Sequence, residues 1–195
     1  MKKTIIILVA LAVIAVLGVI SSINGLVRMD ENVNAKFSQV LNQYQRRADL
    51  IPNLVSTVKG YAAHERETLQ NVIEARAKAT SITLTTNDLS NAAAVKNFQQ
   101  AQNSLSSALA RLMAVAENYP DLKASENFVA LQSQLEGTEN RIAVARKDYI
   151  EAIQVFNSKI RTIPTSWIAK AFTNLEPKAQ FDITETAKAL PTVNF

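Results

Sequence analysis

The sequence predicts an all-α protein in which an N-terminal transmembrane helix is followed by an antiparallel bundle. The bundle is expected to contain three or four long amphipathic helices with coiled-coil-like packing. Three observations lead to this prediction. The segment from Thr4 to Val27 contains no charged residue. The 195 residues include only 4 Gly and 5 Pro, which favours long helices over a sheet. Beyond Val27, apolar residues recur every three or four positions, as in a helix with one buried face.

The uncharged segment is long enough to cross a membrane as one helix. At about 1.5 Å per residue it extends roughly 36 Å, against about 30 Å for the hydrocarbon core of a bilayer. A signal peptide cleaved near Ser21–Gly25 is the alternative, because Lys2 and Lys3 precede the apolar run. The run is longer than a usual signal core, lacks an Ala-x-Ala site and is followed by no Cys. We therefore predict a retained anchor over residues 1–28 that contacts lipid through residues 4–27.

The charges that flank this anchor predict its orientation. Lys2, Lys3 and the α-amino group precede it, while Arg28 and Lys36 are the nearest cations after it. Cations favour the cytoplasmic side, and acidic neighbours contribute little to this preference. We expect a single-pass protein whose C-terminal part lies on the extracytoplasmic side, which in a bacterium is the periplasmic side.

The first amphipathic helix is predicted from a heptad pattern of apolar residues. Its members are Val33, Phe37, Val40, Tyr44, Ile51, Leu54, Val58 and Tyr61. Arg47 occupies the heptad position between Tyr44 and Ile51 and so places one cation on the buried seam. Pro52 is expected to kink the helix rather than end it, because the apolar period continues beyond it. Its missing N–H would leave the carbonyl of Ala48 free. A further helical stretch is expected over 64–80.

Two more helices are predicted after a polar loop over 81–90, in which Asp88 or Ser90 would cap the next helix. The buried face of that helix is predicted to comprise Phe98, Ala101, Leu105, Ala108, Leu112 and Val115. The last helix carries the most regular repeat, through Phe128, Leu131, Leu135, Thr138, Ile142, Ala145, Tyr149, Ala152 and Phe156. A sustained repeat of 3.5 residues predicts coiled-coil-like packing. The bundle is expected over 29–164, ending at Pro164.

The C-terminal segment over 165–195 is expected to pack on the bundle or on a neighbouring subunit. Its stretch from Trp167 to Phe172 has two interpretations. It is either a small interfacial helix that contacts lipid or a cover for the open end of the bundle. We favour the cover, because burial of one Phe stabilises a fold by roughly 1.5–3 kcal/mol without any membrane.

The sequence offers little catalytic or ligand-binding chemistry. It has no Cys and a single His, His64, so metal sites and acid–base relays lack parts. His64-Glu65 begins like a zinc-protease signature, but Thr68 stands where the second His belongs. The net charge of +4 is scattered, with no basic cluster for nucleic acid. We expect no enzyme activity, no catalytic residue, no cofactor, no metal and no nucleic-acid partner.

Charged residues near the apolar seams are the informative polar positions. A charge inside a bundle is costly unless it is paired. We therefore hypothesise that Arg46 or Arg47 reaches Glu139, with Asn53 and Asn140 supplying hydrogen bonds nearby. In the alternative, Arg47 extends to the surface while Ala48 takes the seam.

A second group of polar residues lies near the end of the first helical region. Lys59 and Arg66 are one heptad apart, and His64 lies between them. These three residues form either a face for an acidic partner or an ordinary solvated surface.

Three stretches of the chain resemble the LemA family. They are QRRADLIPNLV with VKGYAAHE from Gln45 to Glu65, ENYPDLKA from Glu117 to Ala124, and the segment from Leu135 to Tyr149 that contains TENRI. The resemblance implies a single-pass protein of the bacterial inner (cytoplasmic) membrane with a helical domain, and no agreed biochemical activity. The polar positions of the matching family motifs include the charged and amide residues described above. These positions are Arg46, Arg47, Asp49, Asn53, Glu139, Asn140 and Arg141. These residues either hold the bundle together or contact a partner.

Two functions are compatible with this sequence. The first is an envelope scaffold that self-associates into a homo-oligomer, since tethered copies meet at high effective concentration. The second is an adaptor for another envelope protein, such as a membrane protease or a transporter, contacted through the Lys59–Arg66 region or the C-terminal segment.

Overall fold

The structure, a computed structural model, describes residues 2–181. Within this range the chain forms six α-helices and one 3₁₀ turn, and no β-strand. The elements are α1 (Lys2–Tyr61), α2 (Arg66–Ser81), the 3₁₀ turn (Thr86–Ser90), α3 (Ala92–Ala116), α4 (Pro120–Lys123), α5 (Glu126–Arg161) and α6 (Thr165–Phe172). The all-α prediction is confirmed for the described part of the chain. Residues 182–195 of the predicted C-terminal segment lie outside the described residues.

Helix α1 joins the apolar segment to the first amphipathic helix without a break. Its 60 residues extend roughly 90 Å at the usual helical rise. Among the described residues it is the one helix long and apolar enough to cross a membrane, and no part of its most apolar stretch is buried in the protein. Nothing between Leu26 and Phe37 interrupts a helix, which is why the two segments are continuous.

The long helix α5 runs antiparallel to α1. Lys36 of α1 pairs with Asp148 of α5 at 3.0 Å, and further along α1 Arg47 pairs with Glu139 at 2.8 Å. Helix α2 contacts both α1 and α3, and α6 contacts both α1 and α5. The predicted coiled-coil character of this packing stays a prediction.

The heptad seam of α1 is buried inside the chain itself. Its apolar members from Val33 to Val58 are all buried. They divide between two hydrophobic clusters: one contains Phe37, Phe98 and Tyr149, and the other contains Leu54, Leu112 and Leu135. The seam therefore serves this domain's own core and is not an available contact between copies.

The start of α3 differs from the prediction. Its N-cap is Asn91, whose side-chain oxygen accepts hydrogen bonds from the N–H groups of Ala93 and Ala94 at 3.1 and 3.2 Å. Asp88 instead accepts hydrogen bonds from the backbone and hydroxyl of Thr85 within the 3₁₀ turn, and these bonds lower the pKa of Asp88. The prediction that Asp88 or Ser90 caps α3 was wrong, because both residues belong to the 3₁₀ turn that precedes the helix.

Pro52 does not end α1, as expected. The Ala48 carbonyl, which lacks the N–H of residue 52 as a donor, accepts a hydrogen bond from Arg76 Nε of α2 at 2.7 Å. A side chain from the neighbouring helix thus satisfies the backbone group that the proline leaves free.

The predicted cover formed by Trp167 and Phe172 is wrong for these two side chains. Both lie on α6, and they are 66% and 65% exposed. The bundle is instead contacted by Ala169 of α6 and by Phe181, whose ring centre lies 5.0 Å from that of Tyr149 with the two rings tilted by 54°. The buried residues of α6, Thr165 and Ala169, are small, Ile168 is half-buried, and the two largest side chains remain exposed.

Candidate functional site

The most unusual residue of the domain is Arg47, a charged side chain only 1% exposed. Its Nη1 donates to Glu139 Oε1 at 2.8 Å and lies 2.7 Å from Ser106 Oγ. Its Nη2 donates to the side-chain oxygen of Gln102 at 2.7 Å and to the Gln102 carbonyl at 3.3 Å. One guanidinium group therefore ties α1 to both α3 and α5.

The surroundings of Arg47 extend this link to a fourth helix. Gln102 Nε2 donates to the carbonyl of Ala79 in α2 at 3.2 Å. The Arg47 guanidinium carbon lies 5.1 Å from the centre of the Tyr44 ring, within range of a cation–π interaction. Burial raises the pKa of Tyr44, while the charges of Arg146 and Arg47 oppose that shift. We call this group of Arg47, Gln102, Ser106, Glu139 and the Ala79 carbonyl the Arg47 layer. It lies where the two hydrophobic clusters meet, and it is built from α1, α2, α3 and α5.

Glu139 connects this buried layer to the surface. Its side chain is 43% exposed, in contrast to that of Arg47. It borders a groove of about 550 Å³ between α3 and α5. The apolar part of the groove comprises Leu109, Ala110, Met113 and Leu135, and its polar edge comprises Ser106, Gln132, Glu136, Glu139 and Asn140.

The ion pair expected between Glu139 and either Arg46 or Arg47 is formed by Arg47. The alternative, in which the Arg47 side chain extends to the surface, is excluded because that side chain is buried. Arg46 is exposed and has no hydrogen bond to this layer among the described residues. Asn53 is also exposed, so its expected hydrogen bonds near the pair were predicted wrongly. Six residues along a helix place Asn53 well away from the face that carries Arg47.

The remaining members of the predicted polar set lie around the layer rather than in it. Asp49 is exposed and accepts from Gln45 Nε2 at 2.7 Å. Asn140 is exposed at the edge of the groove. Arg141 donates to Gln43 Oε1 at 3.2 Å, which adds a further polar link between α1 and α5, and to Thr138 Oγ1 at 3.0 Å.

The predicted partner face of Lys59, His64 and Arg66 lies at the end of the domain opposite the apolar segment. All three residues are exposed, and none of them has an ion pair within the described part of the chain. Their neighbour Glu65 accepts from the Tyr119 hydroxyl at 2.9 Å, a bond that raises the pKa of Tyr119. A role in partner binding stays a prediction.

Sequence reasoning missed Gln102, Ser106 and Arg76. A signal for Gln102 was present, because it lies four residues after Phe98 and three before Leu105, on the same helical face.

Residues 2–181 contain no group of three or more Asp, Glu or His side chains that is placed to hold a metal ion. The arrangement is therefore a buried charge with one partly open partner, next to an apolar groove.

Comparison with known proteins gives consistent matches over most of the chain. The model of the LemA family matches residues 36–195. Magnetosome protein MamQ 2 of Paramagnetospirillum magneticum is 30% identical over 183 residues, which cover 82% of this chain and 67% of that protein. Protein LemA of Metamycoplasma hominis is 26% identical over 147 residues, which cover 75% of this chain and 63% of that protein. Magnetosome protein MamQ of Magnetospirillum gryphiswaldense is 25% identical over 182 residues.

Proposed function

The chain belongs to the LemA family, and from this premise we propose that it is a membrane-anchored helical scaffold that self-associates in the bacterial envelope. The apolar part of α1 is the anchor, inserted in the inner membrane. The helical domain stands outside the cytoplasm on the continuous remainder of α1. Copies tethered to one membrane meet at a high effective concentration, so weak contacts between their domains suffice for assembly.

The observation that carries self-association is the groove between α3 and α5. The heptad seams are buried within the chain, so a contact between copies requires another surface. The groove has an apolar floor and a polar edge, which is the form that a helix-in-groove contact takes. A second copy can supply an apolar side chain to the groove, because α5 exposes Val129, Val144 and Val155.

The mass of the full-length protein in mild detergent tests this proposal. Light scattering with the detergent contribution subtracted is expected to give a discrete multiple of the 21.4 kDa chain. Ala110→Glu places a carboxylate on the apolar floor beside Glu136 and Glu139, so it is expected to reduce the assembly to monomers. Ala110 is exposed in the single chain, so the fold should tolerate this change.

The matched control is Ser104→Glu, which adds the same charge on α3 but on its α2-facing side, away from the groove. It should leave the mass unchanged. A monomeric wild-type protein contradicts the proposal. A monomer that co-purifies with a stoichiometric envelope protein would favour the adaptor function instead.

A further inference from the structure

Helix α6 presents a cluster of large apolar side chains that the described part of the domain, residues 2–181, does not cover. Thr165 and Ala169 face the bundle and are buried. Trp167 and Phe172 are 66% and 65% exposed, and Ile163, just before the helix, is 67% exposed. These three large apolar side chains lie within ten residues of one exposed stretch, which marks a contact site rather than scattered surface residues.

The position of α6 along α1 identifies what this cluster faces. The antiparallel pairs Lys36–Asp148 and Arg47–Glu139 fix the register of α1 against α5. At equal rise per residue, the end of α5 at Arg161 is then level with α1 near Gly25. In agreement, Leu26, Ile160 and Ala169 belong to one hydrophobic cluster.

Helix α6 therefore lies level with the end of the apolar segment of α1, which extends to Val27. Side chains before Val19 are exposed, and the first shielded ones are Val19, Ser22 and Ile23. Their spacing of three and four places them on one face of α1, as expected if one element packs against the end of the segment.

From this placement we propose that α6 rests on the bilayer surface as a second membrane contact of the domain. Trp is favoured at the boundary between lipid chains and headgroups, and Phe and Ile add apolar area to such a contact. Exposed cations lie near the cluster in sequence: Lys159 and Arg161 end α5, and Lys170 lies on α6. They suit the phosphates of an anionic bilayer. With two contacts, the domain is held at a fixed tilt instead of swinging on α1 alone.

This inference rests on the proposed membrane anchor and is independent of self-association. Its test uses the fluorescence of Trp167, the chain's only Trp. The full-length protein is placed in nanodiscs of phosphatidylcholine and phosphatidylglycerol, with one chain per disc. Lipids brominated on the acyl chain near the headgroup are expected to quench Trp167 severalfold. Its emission should be blue-shifted, and acrylamide should quench it less than a free indole.

Two variants that move the single Trp separate the possible failures. Trp167→Phe with Tyr61→Trp reports from an exposed site about 50 Å further along α1, and it should not be quenched by brominated lipid. Trp167→Phe with Val16→Trp reports from the middle of the apolar segment, and it should be quenched by deeply brominated lipid. If Val16→Trp is quenched but Trp167 is not, α6 does not touch lipid while the anchor stands.

If Val16→Trp is not quenched, the anchor itself is contradicted, and an unquenched Trp167 then contradicts both proposals. Shielding of Trp167 from acrylamide without quenching by bromine would also overturn the inference, because protein rather than lipid would then cover the helix. Shielding that appears only with several copies per disc would identify a second copy as that cover.

Discussion

At the scale of single residues, the buried guanidinium of Arg47 is the feature on which we expect the stability of the domain to depend most. A guanidinium inside a core is destabilising unless charge and hydrogen bonds compensate its loss of water. Glu139 supplies the charge, and Gln102 and Ser106 fill most of the remaining donor directions. Arg47 Nε has no partner among the described residues. Because the two partners differ in exposure, their removal should have unequal consequences.

Glu139→Ala is expected to destabilise the domain more than Arg47→Met. The first change leaves a buried guanidinium without its counter-charge, at a cost of up to about 3 kcal/mol, reduced because solvent reaches the site of the half-exposed carboxylate. The second removes the buried charge, keeps much of the volume and leaves a carboxylate that water can hydrate. Thermal unfolding of the full-length protein in mild detergent measures the difference, at roughly 2–4 °C per kcal/mol.

Glu136→Ala is the matched control, since Glu136 lies on the same groove edge and pairs with Gln132 in the same helix. It should change the melting temperature little. The double variant Arg47→Met with Glu139→Ala should be no less stable than Arg47→Met alone. A loss for Glu139→Ala no larger than that for Glu136→Ala would show that the ion pair contributes no stability.

At the scale of elements, the sequence was a good guide where apolar periodicity is strong and unbroken. The seams of α1 and α5 were predicted well, because a helix with one buried face leaves a repeat of three and four. Tyr61, predicted to end the α1 seam, is the exception, since it is 48% exposed. The face of α3 was less certain. Ala108 and Val115 were predicted, but Leu109 and Ala116 are the buried members. Both pairs fit the same helical repeat of three and four residues, on neighbouring stripes of α3. Which stripe is buried depends on how α3 packs against α2, and the repeat alone does not show this.

The link between α2 and the proline of α1 could not be predicted from sequence, because it needs the position of one helix against another. It yields a test in which two substitutions depend on each other. Arg76→Met removes the donor to the Ala48 carbonyl, and a buried carbonyl without a partner costs about 1–3 kcal/mol. In a Pro52→Ala background the restored N–H serves that carbonyl, so the same Arg76→Met change should cost clearly less.

The four proteins of this cycle are compared by thermal unfolding in one detergent, with helix content monitored by circular dichroism. Pro52→Ala alone should be neutral or stabilising, because it restores a helical hydrogen bond and removes a clash. Equal losses for Arg76→Met in both backgrounds would mean that Arg76 stabilises the domain through packing of its stem rather than through the Ala48 carbonyl.

At the scale of the whole molecule, α1 is the helix that relates the other features to one another. It contains, in order, the apolar segment, Arg47 and Lys59 near its C-terminal end. The sequence is compatible with this continuity, since it contains no Gly or Pro between Leu26 and Pro52. It could not predict the exposure of Trp167, because a short amphipathic helix can pack against a core in more than one way. Only the position of α6 against α1 and α5 shows which of its side chains are buried.

We predict that Lys2 and Lys3 keep the N-terminus of the proposed anchor in the cytoplasm. Because the chain has no Cys, single cysteines report sidedness without background. In bacterial spheroplasts, a membrane-impermeant maleimide should label Ser133→Cys, an exposed site on α5. It should label a Cys inserted between Met1 and Lys2, which leaves both lysines in place, only after the membrane is permeabilised. Labelling of this inserted Cys alone would place the domain in the cytoplasm, and α6 would then rest on the cytoplasmic leaflet.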